Sequence, residues 1–268
     1  MDKLHHELWI VQVVNALFGP LVAALARPLG IEFEPGTKVI PDHVVMSLLI
    51  VALVGVLGLL VRSRLSVEHP GRLQLVLEDI VTLMVGFLRS NIGEKGPRFL
   101  PLVGAIGVFI FTANMMGKVP GLMSPTASLN TTVACAITVW LYYHYQGMKA
   151  QGIGAYLKHF AAPPGVPLFI APVMLPIEII SHLSRVMSLS LRLFGNVFGE
   201  ELVVLILASI IPFLVPLPMM VLGTITGSLQ AYIFVLLTTI YLAGAVHTEH
   251  DDEHGTSAHG EVHAPAAA

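Results

Sequence analysis

Between Ile177 and Glu201 the chain reads IEIISHLSRVMSLSLRLFGNVFGEE, an apolar stretch into which three carboxylates, an imidazole, two guanidinium groups and an amide are set. At about 100° per residue of helix, Glu178, His182, Arg185, Arg192 and Asn196 fall on one face, joined by Ser181 and Ser188. Leu, Ile, Val and Phe take much of the remaining surface. A charged side chain at mid-bilayer costs about 2.5–3.5 kcal/mol on insertion scales. In a membrane this stripe must therefore face water or protein. Carboxylates and an imidazole can pass protons, and a guanidinium can hold an anion. His182 reads equally as a relay and as an i,i+4 hydrogen-bond partner of Glu178.

Arg192 is the residue hardest to account for locally. Glu178 is fourteen positions away, or roughly 21 Å along a helix axis, and Glu200 is eight away, or roughly 12 Å, so neither is within easy ion-pair reach. The other apolar segments carry amides (Asn114, Asn130, Gln230) but no carboxylate near their centres. The expected counter-charge is thus one supplied by another subunit, in preference to an arginine that snorkels unpaired to an interface.

The elements that must position these groups follow from composition. The chain has 268 residues, 55% hydrophobic and 12% charged, against about 25% charged in a soluble domain, and it is read as an all-α, polytopic membrane protein. A net charge of −3 without a basic, aromatic-rich patch excludes nucleic acid as a partner. The single cysteine, Cys135, permits no intrachain disulfide and reads as a packing residue. The start, MDKLHHELW, lacks the features of a cleaved signal, and none is expected.

Three regions are expected: an N-terminal interfacial segment (1–40), a membrane domain (41–247) and a histidine-rich acidic tail (248–268) read as disordered. About five spans are expected, near 44–61, 99–117, 129–147, 167–214 and 219–246, with an amphipathic surface helix at 73–92. Residues 8–30 read as an apolar helix broken at Gly19-Pro20. From Pro167 to Leu217 about 50 apolar residues would make roughly 75 Å of helix, over twice the hydrocarbon thickness. Either two spans lie here or one helix tilts strongly; the preferred picture is a long, tilted last pair, with Pro212, Pro216 and Pro218 ending its first member.

Arg62, Arg64, Arg72, Arg89, Lys95 and Arg98 cluster between the first two spans, which places that loop and the C-terminus in the cytoplasm and the N-terminus outside. The five histidines after Val246 follow no metal-ligand spacing, so no metal and no cofactor are expected. Three other classes compete. A secondary transporter would bind an anion at the arginine, but no internal repeat is seen. An intramembrane hydrolase would need an HExxH or GxSxG motif, and neither occurs. A structural assembly subunit would tolerate neutral replacement of Arg192.

The run Ser188-Leu-Ser-Leu-Arg192-Leu-Phe-Gly-Asn196, then Gly199-Glu200-Glu201 and Leu229-Gln230-Ala231-Tyr232-Ile233-Phe234, resembles subunit a of F-type ATP synthases. The likeness extends to Glu178 and to Pro41-Asp42-His43-Val44-Val45-Met46, and covers about residues 40 to 246. It implies a non-catalytic, proton-translocating stator subunit of a bacterial inner membrane. Its implied partners are a ring of c subunits with mid-membrane carboxylates, and subunit b of the peripheral stalk. Arg192 matches the family's essential arginine, which would separate two aqueous half-channels. An arginine side chain stays charged when desolvated, where a lysine could lose its proton. Glu201 matches the channel-lining acid, about 180° around the helix from Arg192, with Glu200 as the alternative. Glu178, Ser188 and Asn196 match other channel positions, and Gln230 matches a glutamine placed near the arginine. At Gly223 some members carry an ionisable residue, and its absence leaves more relay work to Glu201.

Overall fold

The structure is a computed structural model that describes residues 9–26, 28, 38–66, 69–119, 121–156, 171–210 and 216–246. Among these, every regular element is helical. Seven α-helices follow in order: α1 (Trp9–Ala26), α2 (Asp42–Arg62), α3 (Arg72–Ile92), α4 (Leu100–Met116), α5 (Leu129–Gln151), α6 (Ala171–Ile210) and α7 (Pro216–Val246). Short 3-10 turns at Gly96–Phe99 and Pro125–Ala127 lead into α4 and α5. The tail and residues 157–170 and 211–215 lie outside the described residues, so the readings made there, including Pro212, have no structural counterpart.

Among the described residues, four helical stretches are long and apolar enough to cross a membrane: Asp42–Arg62, Gly96–Met116, Pro172–Ile210 and Pro216–Val246. The expected span at 129–147 is α5, long enough at 23 residues but polar toward its end, where Tyr142, Tyr143, His144, Tyr145 and Gln146 follow one another. The choice left open at 167–214 falls to a single helix. At 40 residues α6 is roughly 60 Å long, about twice the hydrocarbon thickness, so a membrane holds it only with a strong tilt. Pro176 lies within its second turn, where few intrahelical N–H bonds are lost. Pro216 and Pro218, expected to close this helix, instead open α7, since proline's fixed φ suits a first turn. The break expected at Gly19-Pro20 is also absent, for α1 runs through Pro20.

The core is a packed group of α4, α5, α6 and α7, with α7 touching the other three and α3. Phe99, Val103, Ile110, Val139, Tyr143, Leu189, Leu193, Phe234 and Leu242 fill it, and Cys135 packs at its edge. Leu88 and Ile92 join the end of α3 to this core, and the Phe87 ring lies 6.2 Å from that of Tyr232 on α7. A second cluster ties α1 to α2 and the end of α4 through Val11, Ile40, Met46, Ile50 and Ala113. There Asn15 makes two hydrogen bonds to the Ile40 backbone, donating to its carbonyl (3.0 Å) and accepting from its N–H (2.9 Å).

The turn from α3 into α4 depends on two glycines. Gly93 ends α3 at φ 85°, a left-handed conformation that costs side-chain-bearing residues energy. At Gly96 an added Cβ would run into the Leu88 carbonyl, which is backbone and cannot swing away. Gly96→Ala is expected to cost about 3 kcal/mol, the upper part of the usual overpacking range. Gly86→Ala, with open space around it, should be tolerated. Thermal unfolding midpoints of the two purified variants check this.

Candidate functional site

The polar stripe of α6 divides into three parts along the helix. Its first part turns inward against α5 and α7. His182 is buried, and its Nε2 lies 3.2 Å from Glu178 Oε1 while its Nδ1 shares a 2.7 Å hydrogen bond with the Tyr143 hydroxyl on α5. The His144 ring meets the His182 ring edge-on at 4.7 Å, and His144 Nδ1 lies 3.1 Å from the Trp140 carbonyl oxygen. One turn on, the Arg185 guanidinium sits 5.3 Å above the Tyr241 ring of α7, a cation–π contact. His182 is thus both the i,i+4 partner of Glu178 and a link to a second helix.

The middle part is Arg192. Leu189, Leu193 and Val197 are buried in the core, which turns Ser188 and Arg192 to the exposed side of α6. Among the described residues Arg192 makes no ion pair. Gly195 and Gly199 share this side, and an added Cβ at either would meet nothing within 4 Å. Asn196, one turn beyond the arginine, donates from Nδ2 to Gln230 Oε1 at 2.7 Å and so fastens α6 to α7. Gln230 is 1% exposed, and its Nε2 has no acceptor among the described residues.

The third part is acidic, and it points away from Arg192. Glu200 pairs with Lys118 from the turn after α4, and both side chains are largely covered. Its carboxylate fills the space beside Gly223 on α7, where a Cβ would collide with it. The gap expected at Gly223 is therefore taken by a carboxylate from the neighbouring helix. Glu201 lies against the same turn, with Oε1 3.3 Å from where a Cβ on Gly117 would stand, beside Ser124. From Ser124 a buried hydrogen-bonded row continues. Ser124 Oγ and Thr126 Oγ1 are 2.7 Å apart, Thr126 Oγ1 donates to Asn114 Oδ1 (2.8 Å), and Asn114 Nδ2 donates to the Gly227 carbonyl (2.9 Å), three residues before Gln230.

The structure thus brings Glu178 to His182, Glu200 to Lys118, Glu201 to Gly117 and Ser124, and Asn196 to Gln230, and it leaves Arg192 and Ser188 on the exposed side. Sequence reasoning passed over Lys118, Ser124, Thr126, Tyr143 and His144. None lies on the striped helix, and only Asn114, an amide in an apolar span, hinted at the buried row.

An all-α membrane protein whose longest described helix carries an arginine without an ion pair among the described residues, with polar clusters before and after it, defines the class. Within that class, the ATP synthase A chain family matches residues 44–243, and the chain belongs to it. It is similar to ATP synthase subunit a of Sulfurihydrogenibium sp. (strain YO3AOP1), 44% identical over 210 residues, 78% of this chain and 99% of the relative. It is also similar to ATP synthase subunit a of Geotalea daltonii (strain DSM 22248 / JCM 15807 / FRC-32), 41% identical over 234 residues, 87% of this chain and 98% of the relative. A third relative is ATP synthase subunit a 3 of Pelobacter propionicus (strain DSM 2379 / NBRC 103807 / OttBd1), 46% identical over 209 residues, 78% of this chain and 89% of the relative.

The Lys118–Glu200 pair yields a direct test. Removing one member of a covered pair leaves a lone buried charge, which costs about 3 kcal/mol or more. Lys118→Gln is expected to lower the unfolding midpoint of the purified protein. The double variant Lys118→Gln/Glu200→Gln should recover most of the loss.

Proposed function

We propose that this member of the family is the proton-translocating stator subunit of the synthase, with two half-channels that meet a rotating c-ring on either side of Arg192. The observation that carries this reading is the guanidinium itself. It stands on a helix too long to lie upright, turned outward, without an anion from the described chain. A buried permanent cation is costly unless paired, and a ring subunit with a mid-membrane carboxylate would supply the partner. Gly195 and Gly199 would let that partner's helix come close.

In this scheme Glu200, Glu201, Ser124, Thr126 and Asn114 line the outer path. Glu178, His182, Tyr143 and His144 line the inner one. Arg192 draws each arriving ring carboxylate into its ionised form and repels protons that would pass straight from one path to the other. Asn196 and Gln230 hold the two tilted helices in register beside it, and the Gln230 Nε2 offers a donor to water or carboxylate at that level. The chain itself makes and breaks no covalent bond of ATP. One charge moving through 100 mV yields about 2.3 kcal/mol, which a leak at Arg192 would waste. Subunit b is the further partner. The basic run from Arg62 to Arg98 puts the N-terminus outside and the C-terminus in the cytoplasm of a bacterial inner membrane.

Arg192→Ala and Arg192→Lys are expected to assemble and yet give no ATP synthesis above background in energised vesicles; normal synthesis in either refutes the role. Glu201→Gln is expected to slow proton flux about a hundredfold, the lower end for a lost acid–base group. Glu200→Gln should slow it less, since Glu200 is already tied to Lys118. Equal or reversed effects would reassign the acid.

A further inference from the structure

We infer that the pocket where the start of α4 meets the ends of α5 and α7 binds the phosphate group of an acidic membrane lipid. The cavity is about 450 Å³, lined by Lys95, Arg98, Gln146, Lys149, Ala150 and Val246. Three of these six are cations, and none is an acid. Among the described residues Lys95, Arg98 and Lys149 make no ion pair, and the adjacent Glu94 turns instead to Arg89 at 3.5 Å.

Compensation of helix-end carbonyls is the ordinary role for such cations, but one of these carbonyls is met from within. Gln151 Nε2 donates to the Ala245 carbonyl at 3.1 Å. The Arg98 guanidinium stacks 4.6 Å above the Phe99 ring, a geometry that holds the planar fork still and leaves its N–H edge for phosphate oxygens. Gln146 adds an amide donor.

The surface leading to the pocket selects a lipid over free phosphate. Ile137, Leu141 and Tyr145 precede Lys149 at intervals of four residues and so form one stripe of α5 ending at the cation. They are 42%, 56% and 57% exposed. An acyl chain can lie along this stripe while its headgroup reaches Lys149, whereas inorganic phosphate gains nothing from it. The site is on the same side as Arg62, Arg64, Arg72 and Arg89, whose positive potential concentrates acidic lipid there.

The test is native mass spectrometry of the detergent-purified complex titrated with phosphatidylglycerol. Each pocket charge removed should weaken the tightest site about fivefold, and K95Q/R98Q/K149Q should weaken it on the order of a hundredfold. K95R/K149R should retain it, as should R62Q/R64Q, which removes two cations outside the pocket. If the triple variant does not assemble, K95Q and K149Q alone still report the fivefold steps. Unchanged binding in the glutamine variants overturns the proposal. So does displacement of the lipid by inorganic phosphate as readily as by phosphatidylglycerol, which would make the pocket a free-phosphate site. Lipid binding that emerges only after residues 249–253 are deleted also overturns it, because the chain's own acids would then be the occupant.

Discussion

Under the proposed function the architecture must keep one permanent cation, Arg192, at membrane depth, where it has no ion pair among the described residues. A guanidinium cannot shed its proton to escape the cost, so the protein must fix where it stands and what can reach it. Two features do this. Leu189, Leu193 and Val197 anchor the opposite side of α6 in the core, which leaves the arginine only the open side. One turn on, the Asn196–Gln230 hydrogen bond joins α6 to α7 and favours one register of the two helices beside the charge.

The two polar clusters are built from different chemistry. The acidic one is held by a turn: Lys118 pairs with Glu200, Gly117 and Ser124 border Glu201, and hydroxyls and an amide continue to Gly227. The other is held between helices by rings, where His182 is joined to Glu178 and Tyr143, and His144 packs beside it. Between the two lies a gap where Leu189 and Leu193 are buried along α6, beside the buried Ser190. In the proposed scheme this gap turns a pore into two paths, and only a carrier moving past Arg192 joins them.

Much of the striped helix was legible in the sequence, because charge in an apolar run is rare and helical spacing shows which charges share a face. The i,i+4 contact of Glu178 with His182 followed from that rule, as did the opposite direction of Glu201. What spacing could not give was contact between helices. Lys118 reads as a loop cation until α4 is laid beside α6, and Tyr143 reads as an apolar-span aromatic until its hydroxyl meets His182. The surroundings of Gly223 were out of reach for the same reason, since the space beside it is filled by Glu200 from another helix. Proline misled at two helix boundaries: Pro20 lies in the interior of α1, and Pro216 begins α7, where a first-turn proline costs no intrahelical hydrogen bond.

The most direct test of this account is the structure of the assembled membrane sector, read at the Arg192 guanidinium. A carboxylate of a ring subunit should lie within about 4–6 Å of it, the range over which opposite charges stabilise one another strongly. A guanidinium found paired to an acid of its own chain, or lying among lipid headgroups, would contradict the account.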